Sequence, residues 1–242
     1  MDFNKLLFRC SSLGYIMTDP RSKSEGLSET CRNHLTDVFV SNKYNRQTDV
    51  TNKYIQKGLM VEEDSITLYS RLNKVMFRKN ELMLSNDFIK GTPDLYLGSS
   101  VGSATTIIDI KSSWDIFTFY RVHNKEINKM YYWQMQGYMA LTGASSAHLA
   151  YCLVDTPDVL INDEKRKLLW QMGVASEDNT DFIEACNELD KIRKYEDIPL
   201  KERLIKFIIN RNDDDINKIY ERVKDCRSFL INLNNKLFNE AT

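Results

Sequence analysis

Two apolar rhythms alternate along the chain, and the points where one gives way to the other outline its elements. Spacings of three and four predict helices over about 27–40, 50–72, 125–142, 164–172 and 181–195. Period-two or short continuous apolar runs predict strands over about 82–90, 94–97, 105–112 and 148–155, and another, Leu204–Asn210, after Pro199. The closing helix, Asp213–Phe238, sets Ile216, Ile219, Val223, Cys226, Leu230, Leu233 and Leu237 at alternating threes and fours. That heptad-like seam suits packing on its own domain or on another subunit. Strands mixed with helices in this order predict an α/β fold, a central mixed sheet flanked by helices.

Polar residues inside this pattern carry the chemistry. Asp109 and Lys111 are two apart in the β-branched run Thr105-Thr106-Ile107-Ile108-Asp109-Ile110-Lys111, so the pleat sends both to one face and Ile108 and Ile110 to the other. A second acid, Asp94, follows the turn Gly91-Thr92-Pro93 and opens the preceding strand. Residues 98–103, rich in glycine and serine, join the two strands as a hairpin, which brings Asp94 and Asp109 together at one end of the sheet. In the helix read over 50–72, Glu62 shares a face with Leu59, Ile66 and Tyr69, whereas Glu63 shares one with Thr67, Ser70 and Lys74. Glu62 is therefore the acid expected to point inward. Gln134 and Tyr138, four apart, share one side of the helix at 125–142.

Pro93-Asp94 followed by Asp109-Ile110-Lys111 resembles the motif order of the PD-(D/E)xK nuclease superfamily. Gln134-Met135-Gln136-Gly137-Tyr138 looks like the Q-xxx-Y motif of its lambda-exonuclease-like and RecB-like branches, and Gly58-Leu59-Met60-Val61-Glu62 like their upstream G-xxx-E. The segment around Ser11-Ser12 and the C-terminal strand and helix look like those of the YqaJ-type viral-recombinase exonucleases of phages. The last motif acid is Asp109 where many relatives carry Glu, which shortens the arm and keeps the charge. The resemblance implies the restriction-endonuclease-like core and a single nuclease domain over 1–242. Its core lies at about 50–155, between a helical segment at 1–49 and C-terminal helices and a strand at 156–242.

What the resemblance implies for function is a metal-dependent DNA exonuclease acting on linear double-stranded ends in phage-type recombination or replication. Phosphodiester hydrolysis needs an activated water, charge neutralisation on the phosphoryl oxygens and help for the leaving alkoxide. Mg²⁺ or Mn²⁺ supplies these when held by one or two carboxylates, so Asp94 and Asp109 are the expected ligands, with Glu62 and the backbone carbonyl of Ile110 as further ones. Lys111 is expected to orient or deprotonate the attacking water, with a pKa lowered by burial or a nearby cation. Gln134 is expected beside the phosphate and Tyr138 in support of it. Arg9, Ser11 and Ser12 are candidates for a terminal 5′-phosphate, although helix capping alone explains the serines and is the preferred reading for them. Ser113, Trp114 and Arg121 are candidate DNA contacts, in a run where aromatics (Trp114, Phe117, Phe119, Tyr120) interleave with Arg121, His123 and Lys125. Two other functions use the same residues: a structure- or site-specific endonuclease, and a non-catalytic DNA-binding or assembly protein that keeps the fold.

Composition narrows the partners. A formal net charge of −1 and a pI near 6.3 argue against a protein that simply coats nucleic acid, whereas a nuclease needs only a local groove and its ion. The five cysteines show no CxxC spacing and the three histidines no zinc spacing, so neither an iron–sulfur cluster nor zinc is expected. The apolar run Leu6-Leu7-Phe8 is too short for a signal peptide core or a membrane span, so a soluble, cytoplasmic protein without membrane contact is expected. Beyond DNA, the resemblance raises a single-strand annealing protein and a ring of copies of this chain as partners, and the sequence decides neither.

Overall fold

The computed structural model describes residues 2–22, 26–47, 52–123 and 126–238. After a 3-10 turn, strand β1 (Phe8–Arg9) leads into helices α1 (Leu13–Ile16), α2 (Glu29–Tyr44), α3 (Lys53–Met60) and α4 (Glu62–Asn73). Strands β2 (Leu84–Ser85), β3 (Ile89–Gly91), β4 (Leu95–Gly98) and β5 (Ala104–Ser112) follow, then helices α5 (Ile116–His123) and α6 (Lys129–Thr142). The chain closes with β6 (Ser146–Cys152), α7 (Asp158–Met172), α8 (Thr180–Lys191), β7 (Leu204–Asn210) and α9 (Asp213–Phe238).

The main sheet has the order β4-β5-β6-β7, with antiparallel, parallel and antiparallel pairings in turn. It is a mixed sheet between helices, as the apolar pattern predicts. One face of β5 gives Ile108 and Ile110 to a core with Leu95, Ala150 and Cys152 and with Ile66, Leu68 and Tyr69 of α4. Ile107, Ala147, Leu149 and Ile209 face the other way, onto Met135, Tyr138 and Met139 of α6 and the seam of α9. Asp109 and Lys111 share the parity of Ile107, so β5 sends them toward α6. Among the described residues, no helix is long and apolar enough to cross a membrane.

Local chemistry explains where the observed elements depart from the apolar pattern. The helix expected over 50–72 is two, broken at Val61 (φ −111°, ψ 16°); its first positions, 50 and 51, lie outside the described residues. The break rotates Leu59 out to 71% exposure, so Glu62 does not share an inward face with it. The strand expected over 82–90 is a hairpin, because Asn86 turns the chain by accepting hydrogen bonds from the Phe88 and Ile89 amides. With β1 it forms a separate three-stranded sheet, order β1-β3-β2. Helix α5 shows no clear apolar period among its aromatics, and its start is set by Asp115 and Thr118, which cap it reciprocally. The helix expected from 125 begins at Lys129, capped by Asn128, and Lys125 lies outside the described residues. Along α9 the seam residues from Ile216 to Leu230 are buried in this chain's own core, while Leu237 is exposed.

Candidate active site

Strand pairing builds the site. Leu95 pairs with Ile108 in antiparallel register, which sets Asp94 across from Asp109 one step further along. Asp94 Oδ2 accepts a hydrogen bond from the Ile110 amide at 2.8 Å, fixing one oxygen and leaving Oδ1 for the cleft. Lys111 Nζ lies 2.7 Å from Asp109 Oδ2, which is otherwise without a hydrogen-bond partner, and 4.9 Å from the centre of the Tyr131 ring. From α6, Gln134 uses both amide hydrogens, one to Asp109 Oδ1 at 3.0 Å and one to the Tyr138 hydroxyl at 3.1 Å.

This arrangement leaves negative charge poorly compensated. Burial, then the neighbouring Asp109, push the Asp94 carboxyl up to about 7, against the Ile110 amide and Lys111, which favour its ionised form. Burial works to lower the Lys111 pKa, but Asp109 and Asp94 outweigh it and the net shift is upward. The expectation of a lysine with a lowered pKa is therefore corrected: between two carboxylates Lys111 is held as an ammonium. Burial, with Asp109 adding, also raises the Tyr138 pKa and keeps that phenol neutral.

Asp94, Ile110 and Lys111 line a cleft of about 580 Å³, with Glu62, Ser112, Ser113, Trp114, Tyr131 and Tyr151, and with Tyr54, Ile55, Gly58 and Leu59 of α3. Glu62 reaches this cleft but is held 2.6 Å from Lys79. Among the described residues, no group of three His, Cys, Asp or Glu side chains is placed to hold a metal ion, so Glu62 does not complete a ligand triad with the aspartates as they stand. The two aspartates nonetheless fit a hard divalent cation. Asp109 Oδ2 has no partner but the Lys111 ammonium, Asp94 is ionised at a penalty, and magnesium needs only one or two protein carboxylates beside its waters.

Close packing ties three distant segments to this centre. A Cβ on Gly91 would stand 2.6 Å from Tyr138 Cε1 and 2.9 Å from Cys10 Sγ. One on Gly137 would stand 2.5 Å from Leu13 Cδ1 and 3.0 Å from the same sulfur. The turn that carries Arg9, Ser11 and Ser12 is thereby fastened beside Tyr138 through Cys10. Arg9 and Ser11 are exposed there. The capping role read for the serines is corrected at Ser12: it occupies the N-cap position of α1, yet its hydroxyl donates to the Arg9 carbonyl and caps no amide.

The remaining candidates lie farther from the carboxylates. Arg121 is exposed on α5. Ser113 is buried, and Trp114, at 8% exposure, has the Arg193 guanidinium 4.5 Å and Lys53 Nζ 4.8 Å from its ring centre. Cations over its ring make Trp114 a packing element here, and a base would have to displace them to stack.

Two residues that shape the site carry no sequence signal. Asn80 is buried; its amide nitrogen donates to the Pro93 carbonyl at 2.9 Å and its backbone N–H to the Asp94 carbonyl at 2.7 Å, so it pins the Pro93-Asp94 turn. Lys57, at 1% exposure, donates to the carbonyls of Ser113 at 2.7 Å and Trp114 at 3.0 Å, fastening α3 to the loop after β5. Burial, and then Arg193, lower its pKa to about 7. Nothing in a polar segment or on an amphipathic helix marks either residue, because both are defined by partners far along the chain.

Paired aspartates and a lysine carried by the β4–β5 hairpin of a mixed sheet, backed by a glutamine and a tyrosine from the adjoining helix, define the nuclease class whose motifs are P-D, (D/E)-x-K and Q-xxx-Y. A scan against protein-family models finds no match, and a search of curated proteins finds none either. Among solved structures, the chain is similar to a phage-related exonuclease from Haemophilus somnus 129PT, with a TM-score of 0.75 and 30% identity over 96% of this chain and 97% of that one. It is also similar to an alkaline exonuclease (LHK-Exo) from Laribacter hongkongensis, with a TM-score of 0.63 and 16% identity over 99% of this chain and 94% of that one. LHK-Exo in complex with dAMP gives a TM-score of 0.62 at 16% identity, covering 97% and 95% of the two chains. At such identity these two establish the fold. The chain belongs to the phage-type exonuclease family of the PD-(D/E)xK superfamily, the lambda-exonuclease-like, YqaJ-type branch.

Proposed function

We propose that the chain is a metal-dependent DNA exonuclease that digests linear duplex from its ends. One observation carries this reading: the β4–β5 register brings Asp94 and Asp109 opposite each other, with Lys111 Nζ 2.7 Å from Asp109 Oδ2 and the charge of both carboxylates acting on it. Asp94 and Asp109 would hold Mg²⁺ or Mn²⁺, with the Ile110 carbonyl beside them. The ion would supply neutralisation of phosphoryl charge and a more acidic attacking water.

The chain's own residues do the positioning. Gln134 holds Asp109 by Oδ1, which leaves Oδ2 to the Lys111 ammonium, and Tyr138 fixes the amide of Gln134. Lys111 orients the attacking water and offsets charge on the phosphate. Glu62 joins the site by exchanging its ion pair with Lys79. Arg9, Ser11 and Ser12, held near Tyr138 by Cys10, would meet the terminal 5′-phosphate, and Arg121 the strand leading in. DNA is the partner, and supply of single strands to an annealing protein in phage-type recombination fits the reading, with or without a ring of subunits.

The test is digestion of linear duplex with and without a 5′-phosphate, beside covalently closed circles, in Mg²⁺. Loss of the linear forms with intact circles is the expected result. Equal cutting of circles would make the protein an endonuclease, and neither cutting nor thermal stabilisation by Mn²⁺ would make it a binding protein.

A further inference from the structure

Of the three glycines inside α-helices among the described residues, two have steric reasons and one does not. In α1, a Cβ on Gly14 would lie 2.5 Å from Met130 Cα, and in α6 Gly137 is blocked as closely by Leu13. Gly58 lies within α3, and nothing stands within 4 Å of where its Cβ would be. Its backbone does not need a glycine either: the positive-φ glycines are Gly98, Gly143 and Gly173, and α3 ends on Val61, whose N–H bonds the Lys57 carbonyl. A helix-interior glycine gives up stability relative to alanine. Within the folded chain nothing offsets that loss.

The open space beside Gly58 belongs to the cleft. Gly58 lines it together with Glu62, Asp94 and Lys111, between the exposed apolar side chains of Tyr54, Ile55 and Leu59. We infer that Gly58 is a substrate-contact position: the nucleotide at the scissile phosphate packs its sugar against the bare backbone of α3, and any side chain there would occupy that nucleotide's place. Phosphate toward the carboxylates and sugar toward an apolar helix wall matches the polarity of the cleft's two sides. The inference rests on the nuclease reading and adds a residue that governs how closely DNA approaches.

The test compares Gly58→Ala and Gly58→Leu with wild type in the full chain. Both variants should melt no lower than wild type, alanine somewhat higher, and both should keep the Mn²⁺-induced rise in Tm. KM for linear duplex should rise by about tenfold for alanine, as for a misplaced methyl in a fitted pocket, and more for leucine. In a Lys111→Ala background, anisotropy of a labelled duplex should show the same graded weakening. Unchanged KM and anisotropy in both variants would overturn the inference while leaving the nuclease reading intact, and so would a lowered Tm that tracks the loss of activity. A wild-type protein that neither cuts nor binds the duplex would remove both.

Discussion

Gln134 donates to Asp109 Oδ1 across 3.0 Å, and this bond joins helix α6 to the strand that carries the acid. Because the second hydrogen of the same amide is committed to Tyr138, the orientation of Gln134 is set from both sides. Gln134→Ala is expected to lower divalent-metal affinity by about 10–100-fold, the usual result of losing a group that orients a ligand. A Mn²⁺ titration followed by Tm measures it, and an unaltered midpoint would separate Gln134 from the metal site. Tyr138→Phe, which removes only an acceptor, should shift the midpoint less.

Asp94 is an acid whose ionised form the fold disfavours without a cation. Asp94→Asn keeps an acceptor for the Ile110 amide and removes the charge facing Asp109. In EDTA this variant should be more stable than wild type by on the order of 1 kcal/mol. Its stabilisation by Mn²⁺ should vanish. Urea denaturation with and without metal checks both, and lower stability in EDTA would mean that Asp94 is not in conflict with Asp109.

Gly91 is where the Gly-Thr-Pro-Asp turn meets Tyr138 and Cys10. Gly91→Ala forces a methyl to within 2.6 Å of the tyrosine ring, so it should destabilise the protein by about 1–3 kcal/mol and reduce activity together. Denaturant midpoints report the first and digestion rates the second. Cys10→Ala combined with Gly91→Ala should recover part of the stability, since it removes the sulfur that crowds the new methyl.

Lys57 makes stability depend on pH with a definite sign. Its folded pKa, about 7, lies below the 10.5 of the free side chain, so between those values the unfolded chain binds the extra proton. Stability attributable to this residue therefore rises with pH from about 7 to 10.5, and below 7 the penalty of burying the ammonium is fully present. Lys57→Met should flatten that rise. Urea midpoints at pH 7 and pH 9.5 for both proteins measure the difference, and parallel changes would show that the charge is not buried.

The sheet and its chemistry were legible wherever a local rule carried them. The period-two run of β5 placed Asp109 and Lys111 on one face, the Gly-rich connection gave the β4–β5 hairpin, and the three-four spacing gave α6 and α9 with Gln134 beside Tyr138. Local rules failed at junctions. Val61 broke a helix whose periodicity ran straight through it, and Asn86 folded one apparent strand into two. Leu59 leaves the face that Glu62 shares with the buried Ile66 and Tyr69, yet Glu62 itself lines the cleft and Glu63 is exposed.

By itself the sequence determined which groups could do chemistry and on which strand or helix each would ride, because pleat and helical period are properties of neighbouring residues. Only the tertiary structure decided how those groups are charged and held. Lys111 is an ammonium because Asp109 and, more distantly, Asp94 outweigh its burial, Asp94 is strained upward in pKa by burial beside Asp109, and Glu62 rests on Lys79. Asn80 and Lys57 matter through bonds to backbone carbonyls 13 and 56 residues away. Electrostatic energy and desolvation depend on distance in space, and only the folded chain sets those distances.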